Sequence, residues 1–139
     1  MRLFTPNTTI LDEQGATGVG TAFNVKPFRN IVIAVSAAVN SSLTFKFQGS
    51  IGTAAGSDDS PNFAAAQTIA NHWDYIEAFD HQNTGTAIAG DTGVTLNNDT
   101  VAGNTRLYKI NVDLLEWVNI EVTSWTDGDF SAFVVGASD

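Results

Sequence analysis

The chain has 139 residues, 43% of them hydrophobic, a formal net charge of −9 and no cysteine. One core-forming domain fits that length, disorder does not fit that apolar content, and disulfides, thiolate nucleophiles and zinc ribbons are excluded together. The six basic residues, Arg2, Lys26, Arg29, Lys46, Arg106 and Lys109, stand singly, which disfavours both nucleic acid and an anionic membrane surface as partners.

The start, Met1 to Pro6, has no apolar stretch of signal-peptide length, so no export signal is read and assembly in a reducing cytoplasm is expected. Leu3 and Phe4 precede the first strand candidate, Thr8 to Asp12, and residues 1–18 read as an N-terminal arm plus that short strand. Residues 19–139 then form the main domain. Val19, Thr21, Phe23 and Val25 alternate with smaller or polar residues until Pro27 ends the run. Asn30 to Ser36 is apolar on both phases of a strand, as a central strand would be. Asn40-Ser41-Ser42 turns the chain into Leu43 to Gly49, an amphipathic strand, so Thr21 to Gly49 predicts an antiparallel meander.

The middle is less regular. Residues 52–62 form a Gly/Ser/Asp/Pro loop, and Phe63 to Ile69 predicts one or two helical turns capped by Ser60 or Asn62. Asn71 to Phe79 resumes alternation, with Trp73, Tyr75 and Phe79 on one side. Ala87 to Gly90 and Val94 to Leu96 flank the Asp91-Thr92-Gly93 turn, and Arg106 to Val112 is the next strand. Trp117 to Trp125 then puts Val118, Ile120 and Val122 on one face, and Trp117, Asn119, Glu121, Thr123 and Trp125 on the other. Asp127-Gly128 closes this strand against Phe130 to Val135 as a predicted hairpin. The expectation is an all-β, antiparallel, jelly-roll-like β-sandwich of about eight or nine short strands.

Little in the chain reads as chemistry. His72 and His81 are nine residues apart in sequence, with no Gly-x-Ser-x-Gly elbow and no metal-binding helical spacing. Glu77 with Glu121 would suit glycoside hydrolysis only if the fold placed them ~5–10 Å apart. Acidic loops such as Asp58-Asp59-Ser60 offer calcium-type oxygen ligands, yet none matches an EF-hand and Asp-Gly is ordinary turn chemistry. The glycines at 15, 18 and 20 have the wrong offsets for a phosphate loop. No catalytic residue, metal or cofactor is assigned. Trp73, Trp117 and Trp125 are the candidates for a carbohydrate-stacking face, against the alternative that they seal the core or its rim. The Asn-x-Ser/Thr triplets at Asn7, Asn40 and Asn98 read as turn and cap residues.

Several segments taken in order, Phe23 to Asn30, Ser42 to Ser50, Asn71 to Ile76, Gly90 to Val94 and Asn111 to Thr123, resemble small virion-associated proteins of tailed bacteriophages. The likeness spans about residues 20–136 and transfers no catalytic residue. It implies a non-enzymatic structural subunit: a capsid decoration protein or small head or tail component, assembled in the host cytoplasm and located in the virion. The partners it implies are capsid or tail proteins and further copies of the chain, with a trimer at a lattice symmetry point as one arrangement. Leu3, Phe4, Asp58 and Asp59 are the candidate contact residues. The alternative from a different class is a carbohydrate- or receptor-binding sandwich module using the three tryptophans.

Overall fold

The computed structural model describes residues 7–38, 40–52, 60–68, 71–83, 86–99 and 105–137. Its described elements are all strands: β1 (Thr8–Gln14), β2 (Gly18–Val19), β3 (Phe23–Asn24), β4 (Asn30–Ala37), β5 (Ser41–Ser50), β6 (Trp73–Tyr75), β7 (Ala78–Asp80), β8 (Ala87–Ile88), β9 (Val94–Asp99), β10 (Thr105–Asn111), β11 (Trp117–Asp127) and β12 (Phe130–Ala137). Among the described residues twelve strands stand where eight or nine were expected, because short pieces count separately. The predicted strand over Val19 to Val25, for example, breaks into β2 and β3 on either side of Gly20. There the chain crosses so close to β1 that a Cβ on Gly20 would lie 2.7 Å from the Ile10 carbonyl oxygen.

Two antiparallel sheets face each other. Sheet A runs β1-β12-β4-β10-β7-β8; sheet B runs β2-β11-β5-β6, with β3 also on β11 and β9 also on β5. Alternation decides what lies between them. Ile31, Ile33 and Val35 of β4, Tyr108 and Ile110 of β10, and Phe130, Ala132 and Val134 of β12 point inward from sheet A. Leu43, Phe45 and Phe47 of β5 meet them from sheet B with Val118, Ile120 and Val122 of β11. The sequence-derived sandwich is the observed fold.

The connections differ from those expected. Trp117 to Val135 is not a hairpin: β11 pairs with β5, β2 and β3 in sheet B, while β12 pairs with β1 and β4 in sheet A. Gly128 and Asp129 carry the chain from one sheet to the other. The Thr21 to Gly49 meander is overturned in the same way, since β4 and β5 lie in opposite sheets. The strands beside the Asp91-Thr92-Gly93 turn also separate, β8 onto β7 and β9 onto β5. The physical reason is shared: a tight turn specifies reversal of the chain, not which edge each strand joins. When both strands bury one face, folding them across the core satisfies the same pattern as pairing them side by side.

The helical turns expected over Phe63 to Ile69 are absent from the described part of that segment. Asn62 does cap locally, its Oδ1 accepting from Ala64 N–H at 3.1 Å and its carbonyl from Ala65 N–H at 3.1 Å. The chain then opens, because Asn71 staples it: Asn62 N–H donates to Asn71 Oδ1 and Asn71 Nδ2 donates to the Asn62 carbonyl, both at 2.8 Å. That stapled loop lies across the outer surface of sheet B.

Candidate functional site

Three places in the fold concentrate side chains able to bind something: the outer face of sheet B, the gap between the sheets at β8 and β9, and the outer face of sheet A.

On sheet B, register sets Trp117, Ser50 and Trp73 in one row across β11, β5 and β6, and Asn119, Gln48 and Tyr75 in the next. The stapled loop covers part of this face. Gln48 is fully buried and donates from Nε2 to the Phe63 carbonyl at 3.3 Å. The Phe63 ring lies 6.0 Å from Trp73, which lies 5.3 Å from Tyr75, and Trp73 Nε1 donates to the Ala65 carbonyl at 3.1 Å. Tyr75 donates to Glu121 Oε1 at 2.6 Å, and the Lys46 ammonium sits 4.7 Å from the centre of the Tyr75 ring. Burial, then the hydrogen bond and charge of Glu121, and then Asp91 push the Tyr75 phenol up to about 12. A phenol held neutral in this way is a donor and a clamp, not a base.

That clamp carries a pH prediction. The folded phenol titrates above its ordinary value of 10, so the stability it confers is full below pH 10 and is lost as pH rises towards about 12. Urea unfolding from pH 9 to 12 should show a steeper alkaline decline for the wild type than for Tyr75→Phe. Equal slopes would show that Tyr75 does not report the clamp.

The candidate tryptophans divide. Trp73 and Trp117 flank Ser50 on the outer face of sheet B, roughly 10 Å apart at two strand spacings. Trp125 does not join them. A bulge between Val122 and Ser124 reverses the alternation of β11, so Trp125 stands opposite Leu43, on the core side, and Trp117 opposite Ser50. The common face expected for Trp117 and Trp125 is therefore corrected. Trp125 lies at the sheet end, its Nε1 donating to the Gly128 carbonyl at 2.8 Å. Beside Trp73 an open hollow of about 430 Å³ is lined by His72, Ile51, Ile76 and Leu115, with the Ser50 hydroxyl donating to the His72 carbonyl.

Between the sheets, Val35, Ala37, Ile88, Val94, Leu96 and Tyr108 line a cavity of about 220 Å³. Arg106 Nη2 meets Asp80 Oδ2 at 2.6 Å at its polar end. Burial pushes the Tyr108 phenol up, opposed by Arg106 and assisted by Asp80. His81 lies elsewhere, in a hollow of about 260 Å³ with Val32, Lys109 and Val135 on the outer face of sheet A. His72 and His81 thus belong to different sheets' surfaces. Among the described residues no three His, Asp or Glu side chains gather as metal ligands. Leu3, Phe4, Asp58 and Asp59 lie outside the described residues.

The outer face of sheet A was not singled out by sequence reasoning, and it is the most distinctive surface. One row across the strands is Thr9, Phe133, Ala34, Leu107; the next is Val135, Val32, Lys109, Phe79, Ala87. Neighbouring rows add Ser131, Ser36 and Thr105, and Asn30 and Asn111. Leu107 is 43% exposed and Phe79 40%. In a chain with fifteen carboxylates, none holds a paired register position on this face, where Lys109 is the one full charge among paired residues. The Asp12-Glu13 bulge stands at the β1 edge opposite Ser131, with Glu13 N–H donating to Ser131 Oγ at 3.0 Å. The signal was present in Asn30 to Ser36, whose second apolar phase, Val32 and Ala34, had to cover something.

No protein-family model matches the chain, and no curated protein sequence does. Among solved structures it is similar to the SPBc2 prophage-derived protein YomS, at 15% identity and a TM-score of 0.66, over 99% of this chain and 96% of that one. At that identity the likeness establishes a shared fold over the full described sandwich.

Proposed function

We propose that the chain is a non-enzymatic structural protein of a bacteriophage particle, docking in many copies on the phage lattice as a capsid decoration (auxiliary head) protein. The observation that carries this reading is the outer face of sheet A. At its centre Phe133, Val135, Val32, Ala34, Leu107 and Phe79 form an apolar patch with no carboxylate at a paired position, on a protein of net charge −9, the composition of a surface that another protein covers. The prophage origin of the structurally similar YomS supports a phage setting. A disulfide-free sandwich suits folding in the host cytoplasm before assembly.

The test is co-sedimentation of purified protein with heads, and separately with tails, of its phage assembled without it. Saturable binding to heads at a fixed copy number supports a decoration role. Binding to tails alone moves the protein along the particle and overturns decoration. Absence of binding to either overturns the phage structural reading. A carbohydrate- or receptor-binding module would then be tested on glycan arrays with Trp73→Ala and Trp117→Ala, the two rings that flank Ser50.

A further inference from the structure

We infer that the outer face of sheet A is covered by the same face of a second copy of this chain, in a two-fold, sheet-on-sheet dimer. The inference rests on the proposed function's reading of that face as one that another protein covers; it names a second copy as that protein, and the dimer then meets the lattice through its other surfaces.

The relief of the face is self-complementary. In the row Phe133, Ala34, Leu107 a small residue separates two large ones, so Ala34 forms a trough between two ridges. The strand order β1-β12-β4-β10-β7-β8 places the centre of the sheet between β4 and β10. A two-fold axis along the strands at that line sets Leu107 of each copy over Ala34 of the other. It also sets the Lys109 stem over Val32, where four methylenes cover apolar surface while the ammonium reaches the rim. Facing sheets of a sandwich interdigitate in this way at ~10 Å separation.

Area and charge set the strength. Three strand spacings by six residue steps over β1, β12, β4 and β10, with the short β7 and β8 added, give a footprint of ~350 Å² per copy. Two such footprints come to ~700 Å², below the ~1,000 Å² of a stable specific interface and in the range of weak, transient ones. The dimer is therefore weak and concentration-dependent. Each copy brings a net charge of −9, and the two Lys109 ammoniums approach one another. Repulsion is long-range and the attraction is apolar, so salt tightens the dimer rather than loosening it.

The experiment is sedimentation equilibrium of the full chain from ~5 to ~500 μM, at low and high salt. A monomer–dimer equilibrium that tightens on going from ~20 to ~500 mM NaCl is expected. Leu107→Asp should weaken it by ten-fold or more, whereas Leu114→Asp, at a site 93% exposed on another surface, should leave it unchanged. The register has its own readout, because the chain has no cysteine. An oxidised mixture of tagged Ala34→Cys and untagged Leu107→Cys should yield mainly the mixed disulfide dimer. A chain that is monomeric throughout, or a dimer indifferent to Leu107→Asp, overturns the inference. So does equal formation of the two unmixed disulfide dimers. A monomer that still binds heads sinks this inference alone; a dimer that binds no particle sinks the phage assignment alone.

Discussion

Phe45→Ala should lower stability by about 3–5 kcal/mol, the range for removing a fully buried aromatic side chain. Phe45 has no exposed surface, and it reaches across the sandwich from sheet B. Its ring lies 4.6 Å from Phe130 and 5.9 Å from Tyr108, both of sheet A, and 5.7 Å from Phe47 on its own strand. The substitution therefore removes contacts that join the sheets, not merely contacts along one strand. Against a total of ~5–15 kcal/mol for a domain, this is a large fraction. A urea midpoint lower by roughly 2 M would check it, taking about 2 kcal/mol per molar as the slope. A midpoint within ~0.5 M of wild type would mean that the neighbours collapse into the space.

Gly128→Ala should be among the most damaging single-methyl additions. Gly128 has φ +98°, a conformation that L side chains rarely adopt. Its added Cβ would also fall within 2.7 Å of Ser41 Cα, which is backbone and cannot rotate away. Backbone strain of ~1–3 kcal/mol combines with that overlap, and the expected loss is about 3 kcal/mol or more. Ser41 is itself fixed, fully buried and donating from Oγ to the Ala38 carbonyl at 2.6 Å. Two sheet-to-sheet crossings lean on each other at this point, so the damage should reach both. Amide exchange at Ala38, which donates to the Asp129 carbonyl, should accelerate in the variant together with exchange in β12. Unchanged exchange at Ala38 would show that the crossings are independent.

The inward-facing half of this fold is legible in the sequence, because burial has a period. Ile31, Ile33 and Val35, or Val118, Ile120 and Val122, can be assigned to the core by counting in twos. Partnership has no comparable local signature. Asp127-Gly128 announces a reversal, but whether β12 joins β11 or crosses to β4 depends on which edges are free, and that is set by residues over a hundred positions away in β1. The bulge after Val122 is equally silent, and it alone moves Trp125 off the face of Trp117. The Tyr75 to Glu121 clamp joins residues 46 positions apart and could be recognised only once β5 lay between them. The outer face of sheet A was half legible. Val32 and Ala34 show an apolar second phase, but Phe133, Leu107 and Phe79 join them only through the strand order.

The placement of β12 also governs when the outer face of sheet A is complete. β12 is the last of the described strands, yet it lies between β1 and β4 and contributes Phe133 and Val135 to the outer face. A nascent chain that has reached only β11 can draw β5 and β11 together, but sheet A remains split, with β1 unpaired and β4 open along one edge. The complete outer face exists only after residues 130–137 have been inserted. A chain stopped before residue 130 therefore cannot display the finished face. Late insertion also means exposure, since until then β4 offers an unprotected apolar edge to any strand that finds it.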